Sequence, residues 1–164
     1  VVSIRVSDID YDYYRLWGGD LMRRGEPAEA IDRYERANRL TPGPARHAKL
    51  ARLYLDAGRP DDARRVYEDG LRRQRAALEA ARRAQRKQPG AWAPILTVGD
   101  HHVRVAELCD ALTRLPDGGG DKAAEYATCR SAGLEDASDL ISTLGEAEAW
   151  RARALERRVA GLRR

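Results

Sequence analysis

The sequence predicts an all-α protein, a short stack of antiparallel helix hairpins closed by helices at its C-terminal end. Three observations carry that expectation. Apolar residues recur at three- and four-residue spacing from Tyr11 onward. An arrangement of Gly, Pro, Ala and Tyr returns after 33 residues, a period typical of helical-hairpin arrays. Ala, Leu and Arg dominate while Phe is absent, which favours helices. At 164 residues the chain has room for one domain or one short run of repeats. A composition of 43% apolar and 34% charged residues excludes a disordered polymer. No apolar run approaches the roughly 18 residues of a membrane helix, and no signal-peptide core is visible. Arg in preference to Lys points to a high-GC bacterial source.

Taken in order, residues 1–10 set Val2, Ile4 and Val6 against Ser3, Arg5 and Ser7, a period of two. With no second strand nearby, an extended N-terminal arm is expected there. A chain that opens on Val rather than Met reads as a processed or truncated form. Helical spacing then takes over through Tyr14, Trp17 and Leu21, and Gly18 marks a place where a neighbour comes close. Gly25 ends that helix, where a left-handed cap suits glycine. Pro27 opens the next, in a first turn that needs no proline N–H. Ala30, Ile31, Tyr34 and Ala37 face inward, and Thr41-Pro42-Gly43-Pro44 stops the helix. The arrangement then repeats: Gly25 maps to Gly58, Pro27 to Pro60, Ala30 to Ala63, Tyr34 to Tyr67 and Ala37 to Gly70. In the first helices Tyr14, Trp17, Gly18 and Leu21 map to His47, Leu50, Ala51 and Tyr54. Small residues at facing positions let paired helices approach to roughly 8–10 Å.

These residues resemble the tetratricopeptide repeat. The pattern reads Tyr14-x2-Trp17-Gly18-x2-Leu21, Ala30-x3-Tyr34, Pro42, then His47-x2-Leu50-Ala51-x2-Tyr54 and Ala63-x3-Tyr67. The resemblance covers Tyr11 to Arg75 and departs where Arg75 replaces the expected proline. It implies a right-handed α-α superhelix of two clear repeats and a degenerate third, with a capping helix. It also implies a groove lined by the first helices, presenting Asp12, Arg15, Leu16, Gly19, Met22 and Arg23, then Ala45, Ala48, Lys49, Arg52, Leu55 and Asp56. The chaperone-binding form of the family clamps a terminal carboxylate with lysines and asparagines. No Asn stands on this face and Gly19 occupies a clamp position, so the resemblance favours a mixed surface that contacts a folded partner.

The second repeat's last helix meets no breaker before Pro89, so it is expected from Asp61 to about Gln88, roughly 40 Å at 1.5 Å per residue. Beyond Leu71 it reads as a solvated basic rod with Leu78 and an alanine-lined seam. Residues 89–99, including Ala91 to Gly99, are expected as an apolar loop offering Trp92, Ile95 and Leu96. Asp100 is expected to cap a third helix, and Asp121 to start a fourth. Leu108, Ala111, Leu112, Leu115, Gly119 and Ala124 fit the degenerate repeat. A final pair, Asp136 to Leu144 and Glu146 to Arg164, has Leu140, Leu144, Trp150, Leu155, Val159 and Leu162 as core candidates. The expected organisation is therefore an arm at 1–10, repeats with an elongated helix at 11–88, the loop at 89–99, and a degenerate repeat with caps at 100–164.

The formal charge of +4 conceals a pattern: residues 71–88 carry +6, residues 150–164 carry +5 and residues 117–148 carry −6. Chemistry-bearing constellations are weak. His102 and Cys109 lie about 10.5 Å apart along a helix, too far to share a zinc ion without a bend. Cys109 and Cys129 sit on consecutive helices, leaving a disulfide or two reduced core thiols, with the thiols favoured. His47 fills an aromatic packing slot. Asp8, Asp10 and Asp12 lack the glycine and distal glutamate of a calcium loop. Gly118-Gly119-Gly120-Asp121-Lys122 lacks the strand and the Gly-Lys-Ser/Thr of a phosphate loop.

No catalytic group, metal or cofactor is therefore expected. The chain reads as a non-catalytic scaffold or assembly subunit that binds a protein partner through Arg15, Met22, Arg23, Lys49, Arg52, Leu55, Trp92, Ile95 and Leu96. The alternative is a regulatory module touching nucleic acid or an acidic partner through residues 71–88, whose arginines circle the helix instead of lining one stripe; nucleic acid is the less favoured partner. Association with a membrane complex and a cytoplasmic or periplasmic location both remain open.

Overall fold

The computed structural model describes the backbone of residues 6–40 and 44–164, and the side chains of residues 13–40, 46–145 and 148–164. Within them the chain is helical: α1 (Val6–Arg24), α2 (Pro27–Leu40), α3 (Pro44–Asp56), α4 (Pro60–Lys87), α5 (Trp92–Thr113), a short 3₁₀ turn (Gly120–Lys122), α6 (Ala123–Ser142) and α7 (Glu146–Arg163). The packing divides into two compact units, residues 1–70 and 71–164. The division falls inside α4, not at the Pro89 break.

In unit 1 the repeated punctuation produces repeated geometry. The Gly25 N–H donates to the Met22 carbonyl at 3.2 Å, and the Glu26 N–H to the Leu21 carbonyl at 3.0 Å. The same pair recurs as Gly58 to Leu55 at 3.0 Å and Arg59 to Tyr54 at 2.8 Å. Both glycines are left-handed, at φ +79° and +70°, as this helix-ending motif requires. Ala30, Ala51 and Ala63 are fully buried, with Ile31, Tyr34, Leu50, Tyr54 and Tyr67 around them. A Cβ at Gly18 would lie 2.8 Å from the Tyr34 ring and 3.3 Å from the Ala30 carbonyl oxygen, so the α1–α2 crossing needs glycine there. The Thr41-Pro42-Gly43 stop lies outside the described residues.

Unit 2 is built on the pairing of α5 with α6, and α7 packs against both. Its core gathers Val103, Ala106, Leu134, Ala137, Leu155 and Val159, with Leu96, Ile141 and Leu162 at its margin. A Cβ at Gly133 would sit 2.9 Å from the His102 carbonyl oxygen, and one at Gly99 would sit 2.8 Å from Leu155. Arg158 ties α7 to α5 through Asp100 at 2.5 Å and Glu107 at 2.9 Å. From Leu71 onward α4 turns Leu71, Gln74 and Leu78 inward and leaves most of its arginines outside.

Several expectations are corrected. Helix α1 already runs at Val6, so the extended arm does not hold for residues 6–10, while residues 1–5 lie outside the described residues. The same Val6 that ends an alternating run begins a helical spacing with Ile9 and Tyr13. The apolar loop at 89–99 is helix from Trp92. Pro94 is compatible because it falls in the first turn, where its missing N–H leaves no carbonyl unpaired. Asp100 is consequently interior to α5 and pairs with Arg104 at 2.6 Å instead of capping. Residues 123–142 form one helix through Gly133, with no break before Asp136. Ala124 is exposed and Tyr126 buried, so Ala124 does not take the buried small position of a third repeat. Trp150, expected in the core, is 58% exposed. Cys109 and Cys129 are disulfide-bonded, with Cα atoms 6.1 Å apart, because the Gly118–Gly120 turn folds α6 back along α5.

Candidate functional site

The residues expected to meet a partner in unit 1 project from the first helices of the two hairpins. On α1, Leu16 is 61% exposed, Arg15 and Met22 are half-buried, and Arg23 is exposed beside Asp20 at 3.2 Å. On α3, Lys49 and Arg52 are exposed, Ala48 and Leu55 are half-buried, and Arg52 Nε lies 3.9 Å from Asp56. The side chains of Asp12 and Ala45 lie outside the described residues. Tyr34 of α2 joins the two helices: Lys49 Nζ stands 5.5 Å from its ring centroid, and a Cβ at Gly19 would lie 3.5 Å from its hydroxyl oxygen. A cation–π contact of this exposed kind contributes on the order of 0.5–1 kcal/mol and holds the ammonium in place. The surface mixes cations with apolar area; Arg23 pairs with Asp20 and Arg52 with Asp56, each within its own helix.

Toward α4 the unit encloses a polar cleft of about 240 Å³ lined by Glu35, Asn38, His47, Tyr54, Asp62, Arg65, Val66 and Asp69. Most of its polar groups are engaged with one another, while Asn38 Oδ1 is buried without a hydrogen-bond partner among the described residues. His47, only 2% exposed, lies 3.1 Å from Asp69, and the Tyr54 hydroxyl donates to Glu35. Arg59 and Arg65 both pair with Asp62. Burial, with the Glu35 carboxylate as hydrogen-bond acceptor and neighbouring charge, pushes the Tyr54 hydroxyl up to about 12. A phenol held neutral to that degree is no base near neutral pH. The cleft locks α2, α3 and α4 in register. Gly70 belongs to the same fit, since a Cβ there would lie 3.2 Å from His47.

Residues 21–87 match the family model of the tetratricopeptide repeat. This segment is tetratricopeptide repeat. No curated protein and no solved structure matches the chain. Tetratricopeptide repeats are protein–protein interaction modules and are typically non-enzymatic. Among the described residues no three His, Cys, Asp or Glu side chains gather as metal ligands would, and no helix is long and apolar enough to cross a membrane.

The remaining expected contacts belong to unit 2. Ile95 is 6% exposed and Leu96 packs on the core, so both hold the fold together. Trp92 is 40% exposed at the start of α5. Sequence reasoning passed over Trp150, which it assigned to the core because it fell on the helical period of α7. The available signal was Arg151 directly after it, with Arg153 and Arg157 beyond.

Proposed function

We propose that the protein is a non-catalytic scaffold or assembly subunit, and that Arg15, Met22, Arg23, Lys49, Arg52 and Leu55 of the tetratricopeptide unit receive its protein partner. The observation that carries this reading is the mixed face of α1 and α3: Leu16 stands 61% exposed, and Lys49 and Arg52 project beside half-buried Leu55. Exposed aliphatic area next to cations suits a partner surface of apolar and acidic residues. It gives no convergent set of groups for bond making. Of the three α5 residues Trp92, Ile95 and Leu96 only Trp92 retains substantial open surface, so Ile95 and Leu96 contribute through folding.

The test is affinity purification with cross-linking mass spectrometry, comparing the wild type with Lys49→Glu/Arg52→Glu. The reading expects a partner cross-linked to α1 or α3 in the wild type, weakened about tenfold or more by the double charge reversal. Recovery of the same partner by both forms would reject this face.

The alternative surface on residues 71–88 has less support. Arg82 is drawn to Glu79 at 3.0 Å and to His102 at 3.2 Å, and Arg75 points to Cys129. Arg83, Arg86 and Lys87 stay exposed at its end.

A further inference from the structure

Helix α7 buries Ala152, Leu155 and Val159 on one side. The opposite side carries Trp150, then Ala154 one turn on, flanked by Arg153 and Arg157, all exposed. Between that face and α5 stands Arg151, whose guanidinium carbon is 4.1 Å from the Trp92 ring centroid and 4.5 Å from that of Trp150. Two indoles therefore stack close to the guanidinium, an arrangement that holds its charge in place, and a cation so held can still donate N–H bonds to an acceptor. Arg151, Arg153 and Arg157 form no ion pair among the described residues. On the same helix Arg158 is doubly paired and Arg163 bonds Ser138, so the unengaged cations concentrate on the outer face.

We propose that this outer face of α7 docks an acidic, partly apolar segment of a partner protein. Arg151 is the central carboxylate anchor, Trp150 with Ala154 the apolar contact, and Arg153 and Arg157 the flanking charges. An unpaired planar guanidinium prefers a bidentate acceptor, which a carboxylate supplies. The strip between the cations is apolar, and the exposed Trp150 indole on this helix offers a place to bury a leucine or an aromatic of a partner protein. Charge and shape together select an amphipathic acidic helix. This surface belongs to unit 2 and is separate from the α1 and α3 residues proposed above.

The experiment titrates the full chain at low salt with a fluorescein-labelled helical peptide of glutamates and leucines at i, i+4 spacing, read by anisotropy. Binding is expected, and Trp150→Ala and Arg153→Glu/Arg157→Glu each weaken it about tenfold or more. Arg151→Lys weakens it as well, since it keeps the charge and loses the planar fork. Lys49→Glu/Arg52→Glu leaves it unchanged, which separates this surface from the α1 and α3 face. All substituted positions are exposed, and circular dichroism verifies that the helices persist. The proposal falls if the peptide does not bind, or if these α7 variants bind it as the wild type does. It also falls if duplex DNA or phosphatidylserine vesicles bind the same residues more tightly than the peptide. Self-association through α7 that Arg153→Glu/Arg157→Glu dissolves would overturn it in favour of a second copy.

Discussion

His102 of α5 is almost fully buried, with Arg82 Nη2 3.2 Å from Nε2 and Asp136 Oδ2 3.3 Å from Nδ1. Arginine only donates, so Nε2 must accept and the ring proton sits on Nδ1. Burial pushes the imidazole below its usual range and Arg82 adds to that, against the pull of Asp136 and Glu79. A depressed folded value means the unfolded chain takes the proton first as pH falls. The neutral ring therefore stabilises unit 2 fully above about pH 6.5, and that contribution is lost as pH drops through the folded value. Urea midpoints should fall between about pH 7 and pH 5 in the wild type. The fall should be shallower in His102→Gln, whose amide can both accept from Arg82 and donate toward Asp136. The slope that remains belongs partly to His101, also depressed by burial. An identical slope in both proteins would contradict this account.

Elements were legible where the residue type itself dictates geometry. Gly25 and Gly58 announce two left-handed helix ends, and Ala30 and Ala63 two close crossings, because no other residue types fit without cost. The α4 helix, expected from Asp61 to about Gln88, runs Pro60–Lys87 because nothing interrupts it. Legibility failed where a residue tolerates two environments. Pro94 reads as a breaker and serves as a first-turn residue. Trp150 keeps core periodicity on an exposed face. The cysteines were unreadable because pairing depends on how α6 folds back along α5, which sequence spacing alone does not determine. Their 20-residue separation suggests a loop-closure contribution of about 3 kcal/mol. Reduction, or Cys129→Ser, should lower the unfolding free energy of unit 2 by about that amount in urea titrations, leaving the unit 1 transition in place. Unchanged stability on reduction would show that the cross-link does not constrain the unfolded chain.

At the scale of the molecule, the boundary between units was the least visible feature. It lies at Gly70 and Leu71, in the middle of α4, where nothing in the local sequence signals a break. Sequence punctuation marks the ends of helices, whereas a unit is defined by which side chains share a core. Leu71, Gln74 and Leu78 are buried on the part of α4 that belongs to unit 2. The candidate partner surfaces follow the same division: the α1 and α3 face stands on the repeat unit, and the outer face of α7 on the other. The small net charge of +4 also hides this, since basic and acidic stretches offset one another within unit 2.

The bond between Cys109 and Cys129 spans the tip at Pro116–Gly120, whose residues are mostly exposed and include three left-handed glycines. A protease that cuts this tip would sever the chain without separating the pieces. Electrophoresis under non-reducing conditions should show one band of unchanged mass, and two fragments only once a thiol is added. Fragments that part without reductant would mean that the bridge had never formed in that sample.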